Sequence, residues 1–114
     1  PIRILGDGKP VRSYMYPSDM AWWLLNILVR GKTGASYNIG SPEAICLRDL
    51  AEKIAGQFPK SPKILSGFSK DTRVSKFVPD VNLAMRTLDL KITTNLDTAI
   101  RRTILWNQTA GHQQ

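Results

Sequence analysis

The chain has 114 residues, which is the size of one domain or of part of one. Hydrophobic residues make up 42% of it and charged residues 22%, and these globular proportions argue against a disordered or fibrous protein. No apolar run approaches the roughly 20 residues that span a bilayer. No secretory leader pattern is found at the start, and the single cysteine, Cys46, cannot form an internal disulfide. These features predict a cytoplasmic protein with no membrane partner.

The charge balance is basic, with 16 Lys and Arg residues against nine Asp and Glu residues and a formal net charge of +7. Such a surplus indicates an anionic partner: nucleic acid, a phosphorylated small molecule or an acidic protein surface. The basic residues are scattered, and the longest Lys/Arg run is Arg101-Arg102. The scatter predicts no nucleic-acid partner, and a small basic nucleic-acid-binding or regulatory module stays the alternative function.

The first residues predict two strands. Residues 2–5 and 11–16 are rich in β-branched and aromatic side chains and flank a Gly-Asp-Gly-Lys-Pro turn. This pattern predicts a hairpin or a pair of nearby strands.

A long helix is predicted over residues 19–30, which are apolar on nearly every side. A helix of this composition is expected to be covered on all sides. Ser18 or Asp19 is expected to cap its start, and Gly31 is expected to end it in a left-handed conformation. At least one of its two adjacent tryptophans is expected to lie in the core.

The middle of the chain predicts a strand, a helix and another strand. Residues 35–40 and 63–67 are short, apolar and bounded by glycine, which is typical of strands. Between them, apolar residues recur at three-and-four spacing over residues 47–58 and predict an amphipathic helix. Cys46 stands at its N-cap, where Ser or Thr is usual.

The last third is predicted to be helical. Residues 66–78 show no clear pattern, Asp80 is expected to cap a short helix, and the sequence Thr94–Asp97 is a capping box for a final helix. Residues 111–114 are predicted to form a frayed tail. The alternation of strands and helices over residues 1–110 favours a small mixed α/β fold.

Motifs for self-sufficient catalysis are missing from the sequence. Val11 stands where a Gly-x-Gly-x-x-Gly turn needs its third glycine, and Asn26 stands where a phosphate-binding loop needs its first. One cysteine and one histidine, Cys46 and His112, are too far apart to form a recognisable metal site. The chain alone is therefore predicted to bind a ligand and not to catalyse a reaction.

Five segments of the sequence together carry a family resemblance. In chain order, they are Ile4-Leu-Gly-Asp-Gly8 with Val11-Arg-Ser-Tyr-Met-Tyr16, Tyr37-Asn-Ile-Gly-Ser41, Leu50-Ala51, Val78-Pro-Asp80 and the helix Leu96…Ile100…Thr103…Trp106. The whole series resembles the C-terminal, substrate-binding part of the extended short-chain dehydrogenase/reductases that act on nucleotide sugars. These enzymes include NAD-dependent epimerases and dTDP-glucose 4,6-dehydratases.

The resemblance implies that catalysis needs a part outside this chain. In this family NAD(P) binds an N-terminal Rossmann-type sheet, which also carries a catalytic Tyr-x-x-x-Lys pair. That pair is absent here, because no lysine stands four residues after Tyr14, Tyr16 or Tyr37. The resemblance therefore implies a small α/β lobe that binds a nucleotide-diphosphate sugar, holds no cofactor itself and is inactive alone. The intact enzyme is expected to be a homodimer.

The resemblance also names candidate binding residues. Arg12 matches the family arginine that contacts the nucleotide pyrophosphate, and a guanidinium offers paired donors that suit a diphosphate. The alternative is a solvated strand arginine. Asn38 falls on the family's Tyr-Asn-Ile-Gly turn, where the amide contacts the phosphates or supports the turn.

Further candidates lie at both ends of the predicted site. The family has a second arginine before the Pro-Asp segment, and here either Lys76 or Arg73 is expected in that role. Asp80 is interpreted as a helix cap and not as a ribose contact. Leu5 stands beside the expected nucleobase, where thymidine-specific dehydratases tend to carry tyrosine. The identity of the nucleotide and of the sugar therefore stays open. The choice among dehydratase, epimerase and decarboxylase stays open as well.

Overall fold

The computed structural model describes residues 1–68 and 73–110, so the predicted tail at 111–114 lies outside the described residues. The described residues form four helices and four short strands. Their bounds are β1 Ile2–Ile4, β2 Val11–Arg12, α1 Pro17–Arg30, β3 Ile45–Cys46, α2 Leu47–Ala55, β4 Ile64–Ser66, α3 Asn82–Leu88 and α4 Leu96–Ala110. The predicted mixed α/β class is confirmed.

The strands pair across long stretches of sequence, so the predicted hairpin is wrong. β1 pairs in parallel with β4, and β2 pairs in antiparallel with β3. The glycine-rich loop between β1 and β2 carries the chain from one two-stranded sheet to the other. Gly8 in this loop has a φ of 78° and its carbonyl accepts a hydrogen bond from the Arg48 N–H at 3.0 Å. The loop therefore anchors to α2 and does not form a tight hairpin turn.

The start of α1 differs from the prediction. Pro17 is the first helical residue, a position where its fixed φ fits and its missing N–H is not needed. Asp19 does not cap the helix; its buried carboxylate accepts hydrogen bonds from the backbone N–H groups of Thr93 and Thr94 at 3.1 and 2.9 Å. Gly31 ends the helix with a φ of −64°, so the left-handed ending is also wrong.

The core forms around one tryptophan of α1. Trp23 has no exposed surface, and its indole N–H donates to the Lys91 carbonyl at 3.1 Å. Four further buried residues complete this cluster: Val81, Ala84, Leu88 and Leu90. Its neighbour Trp22 is 58% exposed, so one of the two tryptophans belongs to the core, as predicted.

The described residues do not cover α1 on all sides by themselves, so its expected full coverage requires a part outside this chain and stays a prediction. Only the side of the helix that carries Trp23 and Asn26 is buried against the rest of the fold. The opposite side is exposed even though it is apolar. Its six exposed side chains form a surface that we call the α1 face: Met20, Trp22, Leu24, Leu25, Leu28 and Val29.

Helix α2 starts as the sequence predicts. Its N-cap is Cys46, whose sulfur accepts the Asp49 N–H at 3.4 Å. The hydrogen bond from Lys53 to Asp97, at 2.8 Å, ties α2 to α4 and raises the pKa of the Lys53 amine.

Helix α4 begins one residue later than the capping box predicts. Asn95, not Thr94, accepts the first free N–H, that of Thr98, at 2.9 Å. Thr94 is buried beside Asp19 and cannot serve as the cap. Residues 35–40 form a loop and no strand, although Ile39 packs on the core as an inward strand residue would. Among the described residues, no helix has both the length and the hydropathy of a membrane-spanning segment.

Candidate functional site

Strand β2 lies at the centre of the candidate site. On one side it pairs with β3, and on the other it pairs with residues 75–77. The Val11 N–H donates to the Ser75 carbonyl at 2.8 Å, and the Phe77 N–H donates to the Val11 carbonyl at 3.0 Å. These two bonds form a parallel bridge that fixes the register of residues 75–77 against β2.

The guanidinium of Arg12 is held in place by this neighbouring segment. Its Nη1 donates to the carbonyls of Val11 and Ser75 at 2.7 and 3.0 Å, and its Nη2 donates to the Ser75 hydroxyl at 3.0 Å. Of the five guanidinium N–H donors, these bonds use three. Among the residues that the structure describes, none accepts a hydrogen bond from the Nε–H group or from the second Nη2–H group of Arg12. The Arg12 guanidinium therefore has two N–H donors left that can bind an anionic ligand.

The register decides which side chains share a face with Arg12. Paired residues of a parallel bridge point to the same side, so Lys76 shares a face with Val11. Ser75 and Phe77 alternate with Lys76 and therefore share the face of Arg12, in agreement with the hydrogen bond from Arg12 to Ser75. Lys76 is thus next to β2 but on the opposite face from Arg12.

Arg73 lies at the edge of the described residues. It is exposed and stands two residues before Ser75. Its role and that of Lys76 in ligand binding stay predictions.

Asn38 supports the turn in which it lies. Its amide donates to the Asp80 carbonyl at 2.9 Å. The two segments are in close contact, since a Cβ atom on Gly40 would lie 2.6 Å from the Pro79 ring. Residues 75–80 therefore contact β2 at one end and the Asn38 turn at the other, which connects the two predicted motifs through one segment. The Asp80 carboxylate accepts the Asn82 N–H at 2.9 Å just before α3, but the N-cap of this helix is Val81, which has no side-chain cap bond, so Asp80 supports the helix start from one residue outside the predicted cap position.

Leu5 lies away from this cluster. It is 99% exposed and follows β1, on the other small sheet. Its neighbour across that sheet is Gly67, whose N–H donates to the Gly6 carbonyl at 2.9 Å. The expected place of Leu5 beside a nucleobase stays a prediction.

Two residues of the site were not identified from the sequence. Ser75 and Phe77 lie in the stretch without a clear pattern, and their proximity to Arg12 comes from a pairing over 63 residues. A Ser-Lys-Phe tripeptide carries no local signal for such a pairing. Among residues 1–68 and 73–110 there is also no group of three or more side chains suited to hold a metal ion.

Comparison with known proteins identifies relatives over nearly the whole chain. No family model matches. The trifunctional UDP-glucose 4,6-dehydratase/UDP-4-keto-6-deoxy-D-glucose 3,5-epimerase/UDP-4-keto-L-rhamnose-reductase of Arabidopsis thaliana is 30% identical over 109 residues, which are 93% of this chain and 16% of that protein. The dTDP-4-dehydro-6-deoxyglucose reductase of Escherichia coli is 32% identical over 106 residues, 91% of this chain and 33% of that enzyme.

A solved structure matches at the level of the fold and of the sequence. The Bordetella bronchiseptica enzyme WbmF, in complex with NAD+ and UDP, has a TM-score of 0.78 and 25% identity over 93% of this chain and 31% of that chain. This chain thus spans a third or less of the length of these three proteins.

The fold is therefore that of one part of the extended short-chain dehydrogenase/reductases, matched over a fraction of their length. Within that class, the chain belongs with the nucleotide-sugar dehydratases and epimerases and corresponds to their C-terminal part, so the predicted family is confirmed.

Proposed function

We propose that this chain is the nucleotide-sugar-binding part of an NAD(P)-dependent dehydratase or epimerase and that Arg12 binds the diphosphate of the substrate. The observation that carries the proposal is the fixed guanidinium, with its Nη atoms bonded to Ser75 and its Nε edge available. A side chain that is already ordered loses little conformational freedom when a ligand binds. A diphosphate accepts two parallel N–H donors from such an edge.

The surrounding charge supports an anionic ligand. The chain carries a net charge of +7, and Lys76 and Arg73 stand within three residues of Ser75. A basic field of this kind raises the local concentration of a diphosphate and speeds its association. The fixed Arg12 then supplies the directional contacts.

The loop after β1 argues against a dinucleotide site in the described residues. The glycines of the loop after β1, Gly6 and Gly8, lead into strand β2, whereas a dinucleotide-binding turn leads into the N-terminus of a helix. We therefore assign NAD(P) to another part of the enzyme. In that arrangement this chain orients the sugar, and the hydride transfer takes place on a cofactor bound elsewhere.

The α1 face supports packing against that other part. From Met20 to Val29 the helix has no charged residue, and at about 100° per residue the six exposed side chains of the face span about 200° of its circumference. Contact with one flat surface covers about half of that arc. A large body with a groove is needed to bury it, and the relatives have more than half of their chain outside the matched part.

Isothermal titration of the chain with UDP tests the proposed site. Removal of a charged hydrogen-bonding group costs about 1.5–3 kcal/mol, so Arg12→Ala is expected to weaken binding about 10- to 100-fold. Arg12→Lys is expected to be nearly as weak, because lysine keeps the charge and loses the paired donors. The matched control is Arg101→Ala on the exposed side of α4, which is expected to bind as the wild type does. Equal affinity of Arg12→Ala and wild type would refute the proposal.

A further inference from the structure

The hydroxyl group of Ser75 lies next to the guanidinium of Arg12. Its Oγ atom accepts a hydrogen bond from Arg12 Nη2 at 3.0 Å, and the Ser75 carbonyl accepts one from Nη1 at the same distance. The Val11 N–H donates to that carbonyl at 2.8 Å, which fixes the Ser75 backbone against β2. A group that is covalently bonded to Oγ is therefore held beside the guanidinium.

The same hydroxyl is accessible from solvent. Every residue from 73 to 77 is exposed, and Ser75 is flanked in the sequence by Arg73 and Lys76. Protein kinases select a serine by the pattern of charges around it, and a basic sequence is one such pattern. Ser75 thus combines an accessible hydroxyl with a cation placed to hold a phosphate bonded to it.

We infer that Ser75 is a phosphorylation site and that its phosphate blocks the Arg12 site, an inference that rests on the proposed function. A serine phosphate carries a charge of about −1.5 to −2 at pH 7 and has three strong acceptor oxygens. These oxygens are two bonds from Oγ, and they pair with the two N–H donors that Arg12 has left. The substrate diphosphate needs the same two donors, so the attached phosphate excludes it.

The modification is a phosphoryl transfer from a nucleoside triphosphate, catalysed by a protein kinase. A bond forms between the γ-phosphorus and Ser75 Oγ, and the bond from that phosphorus to the oxygen it shares with the β-phosphate breaks. The hydroxyl proton passes to a carboxylate of the kinase, and the nucleoside diphosphate leaves.

Titration calorimetry with UDP tests the block. The chain is produced with phosphoserine incorporated at position 75 and is compared with the unmodified chain. A tethered anion competes at a high effective concentration, so UDP binding is expected to weaken about 10- to 100-fold, as much as in Arg12→Ala. Ser75→Ala adds no charge and is expected to weaken UDP binding only about two- to five-fold.

The matched control carries phosphoserine at position 61. Ser61 is exposed, follows Lys60 and stands two residues before Lys63, so the same charge enters a similarly basic sequence. It precedes β4, which belongs to the sheet without Arg12. Its phosphate is expected to leave the UDP affinity within about two-fold of the wild type, because distant exposed charges are screened.

A measurement without UDP tests the contact itself. The cation of Arg12 is expected to lower the second pKa of the phosphate on Ser75, which is about 6 for an ordinary phosphoserine. This pKa is expected to rise again in Arg12→Ala. The 31P resonance of the phosphate, followed during a pH titration, measures both values.

Kinase treatment tests whether the folded chain accepts the phosphate. The folded chain and a synthetic peptide of residues 70–80 are incubated with MgATP and a serine kinase that selects basic sequences. Phosphopeptide mapping is expected to locate phosphate on Ser75 in both samples.

The outcomes distinguish the inference from the proposed function. If phosphate on Ser75 weakens UDP binding no more than phosphate on Ser61 does, the inference is wrong while the Arg12 site stands. The same holds if Arg12→Ala leaves the phosphate pKa unchanged, or if the peptide is phosphorylated at Ser75 and the folded chain is not. If Arg12→Ala binds UDP as the wild type does, the proposed function fails and the inference fails with it.

Discussion

Arg12 and Ser75 are 63 residues apart in the sequence, yet two hydrogen bonds of 3.0 Å join the Arg12 guanidinium to the carbonyl and the hydroxyl of Ser75. This contact links the Arg12 motif to a segment that shows no motif of its own. It also fixes the direction of the guanidinium before any ligand arrives. The proposed function depends on this preorganisation more than on the net charge.

Substitution of Ser75 tests the preorganisation. Ser75→Ala removes the hydroxyl contact and keeps the backbone contact, so the free energy of unfolding is expected to fall by about 0.5–1 kcal/mol. The affinity for UDP is expected to fall about two- to five-fold, because the guanidinium must then be ordered by the ligand. Denaturant unfolding and titration calorimetry measure the two effects. A Ser75→Ala chain with undiminished UDP affinity would show that the contact with Ser75 does not prepare Arg12 for binding.

The buried carboxylate of Asp19 stabilises the fold. Burial alone raises the pKa of Asp19, but the hydrogen bonds from the Thr93 side chain and from the backbone N–H groups of Thr94 and Thr93, together with the charge of Arg102, outweigh it and lower the pKa. Asp19→Asn replaces a charged acceptor with a neutral one and is expected to cost about 1–3 kcal/mol of unfolding free energy at pH 7. Denaturant unfolding at that pH measures the loss.

The same residue predicts a pH dependence. A carboxyl group whose pKa is lower in the folded state contributes stability above its unfolded pKa, about 3.9, and this contribution disappears as the pH falls through the folded value. The free energy of unfolding of the wild type is therefore expected to fall below about pH 4. That of Asp19→Asn is expected to fall less over the same pH range. The control is Asp89→Asn at an exposed site. Parallel pH profiles for wild type and Asp19→Asn would argue against a lowered pKa.

The two adjacent tryptophans of α1 are expected to respond differently to the same substitution. Trp23→Phe leaves a cavity in the core and removes the hydrogen bond to the Lys91 carbonyl, so a loss of about 2–4 kcal/mol is expected. Trp22→Phe removes no core contact and is expected to change stability by less than about 0.5 kcal/mol. Thermal unfolding of both variants measures the difference, and equal losses would contradict the assignment of Trp23 alone to the core.

Cys46 offers a test of helix capping. Its sulfur accepts the Asp49 N–H at 3.4 Å, and a serine hydroxyl is a stronger acceptor at this position. Cys46→Ser is expected to raise the unfolding free energy by up to about 1 kcal/mol, and Cys46→Ala is expected to lower it. Denaturant unfolding of the two variants measures these changes. If both variants are destabilised to the same degree, the sulfur acts by packing and not as the cap.

The helices could be predicted from the sequence because their signals are local. The three-and-four spacing of apolar residues located α2 and α4, and the apolar run interrupted only by Asn26 located α1. The starts of α1 and α4 were harder to predict, because the Asp19 carboxylate accepts the Thr94 backbone N–H and does not cap α1, and because Asn95 caps α4 in place of Thr94. A cap and a tertiary contact use the same atoms, and the sequence does not distinguish them.

The strand pairings and the residues 75–77 beside Arg12 could not be predicted, because they too depend on contacts between distant parts of the sequence. β2 and β3 have two residues each, which is too short for a period-two pattern. The partner of β1 lies about 60 residues away, so the nearby glycine-rich turn favoured the wrong pairing. Arg12 was found through its family motif, but the register that places Phe77 on its face and Lys76 on the other arises only from the folded chain.

Diphosphate binding by Arg12 is tested most directly by the Nε–H resonance of this residue in the 15N-labelled chain during titration with UDP. If the Nε edge binds the diphosphate, this resonance moves downfield, saturates with the amount of bound UDP and shows coupling to phosphorus across the hydrogen bond, while the Nε–H resonance of Arg101 stays in place. Saturation of the chain with UDP while the Arg12 resonance remains unchanged would contradict the proposed role of Arg12.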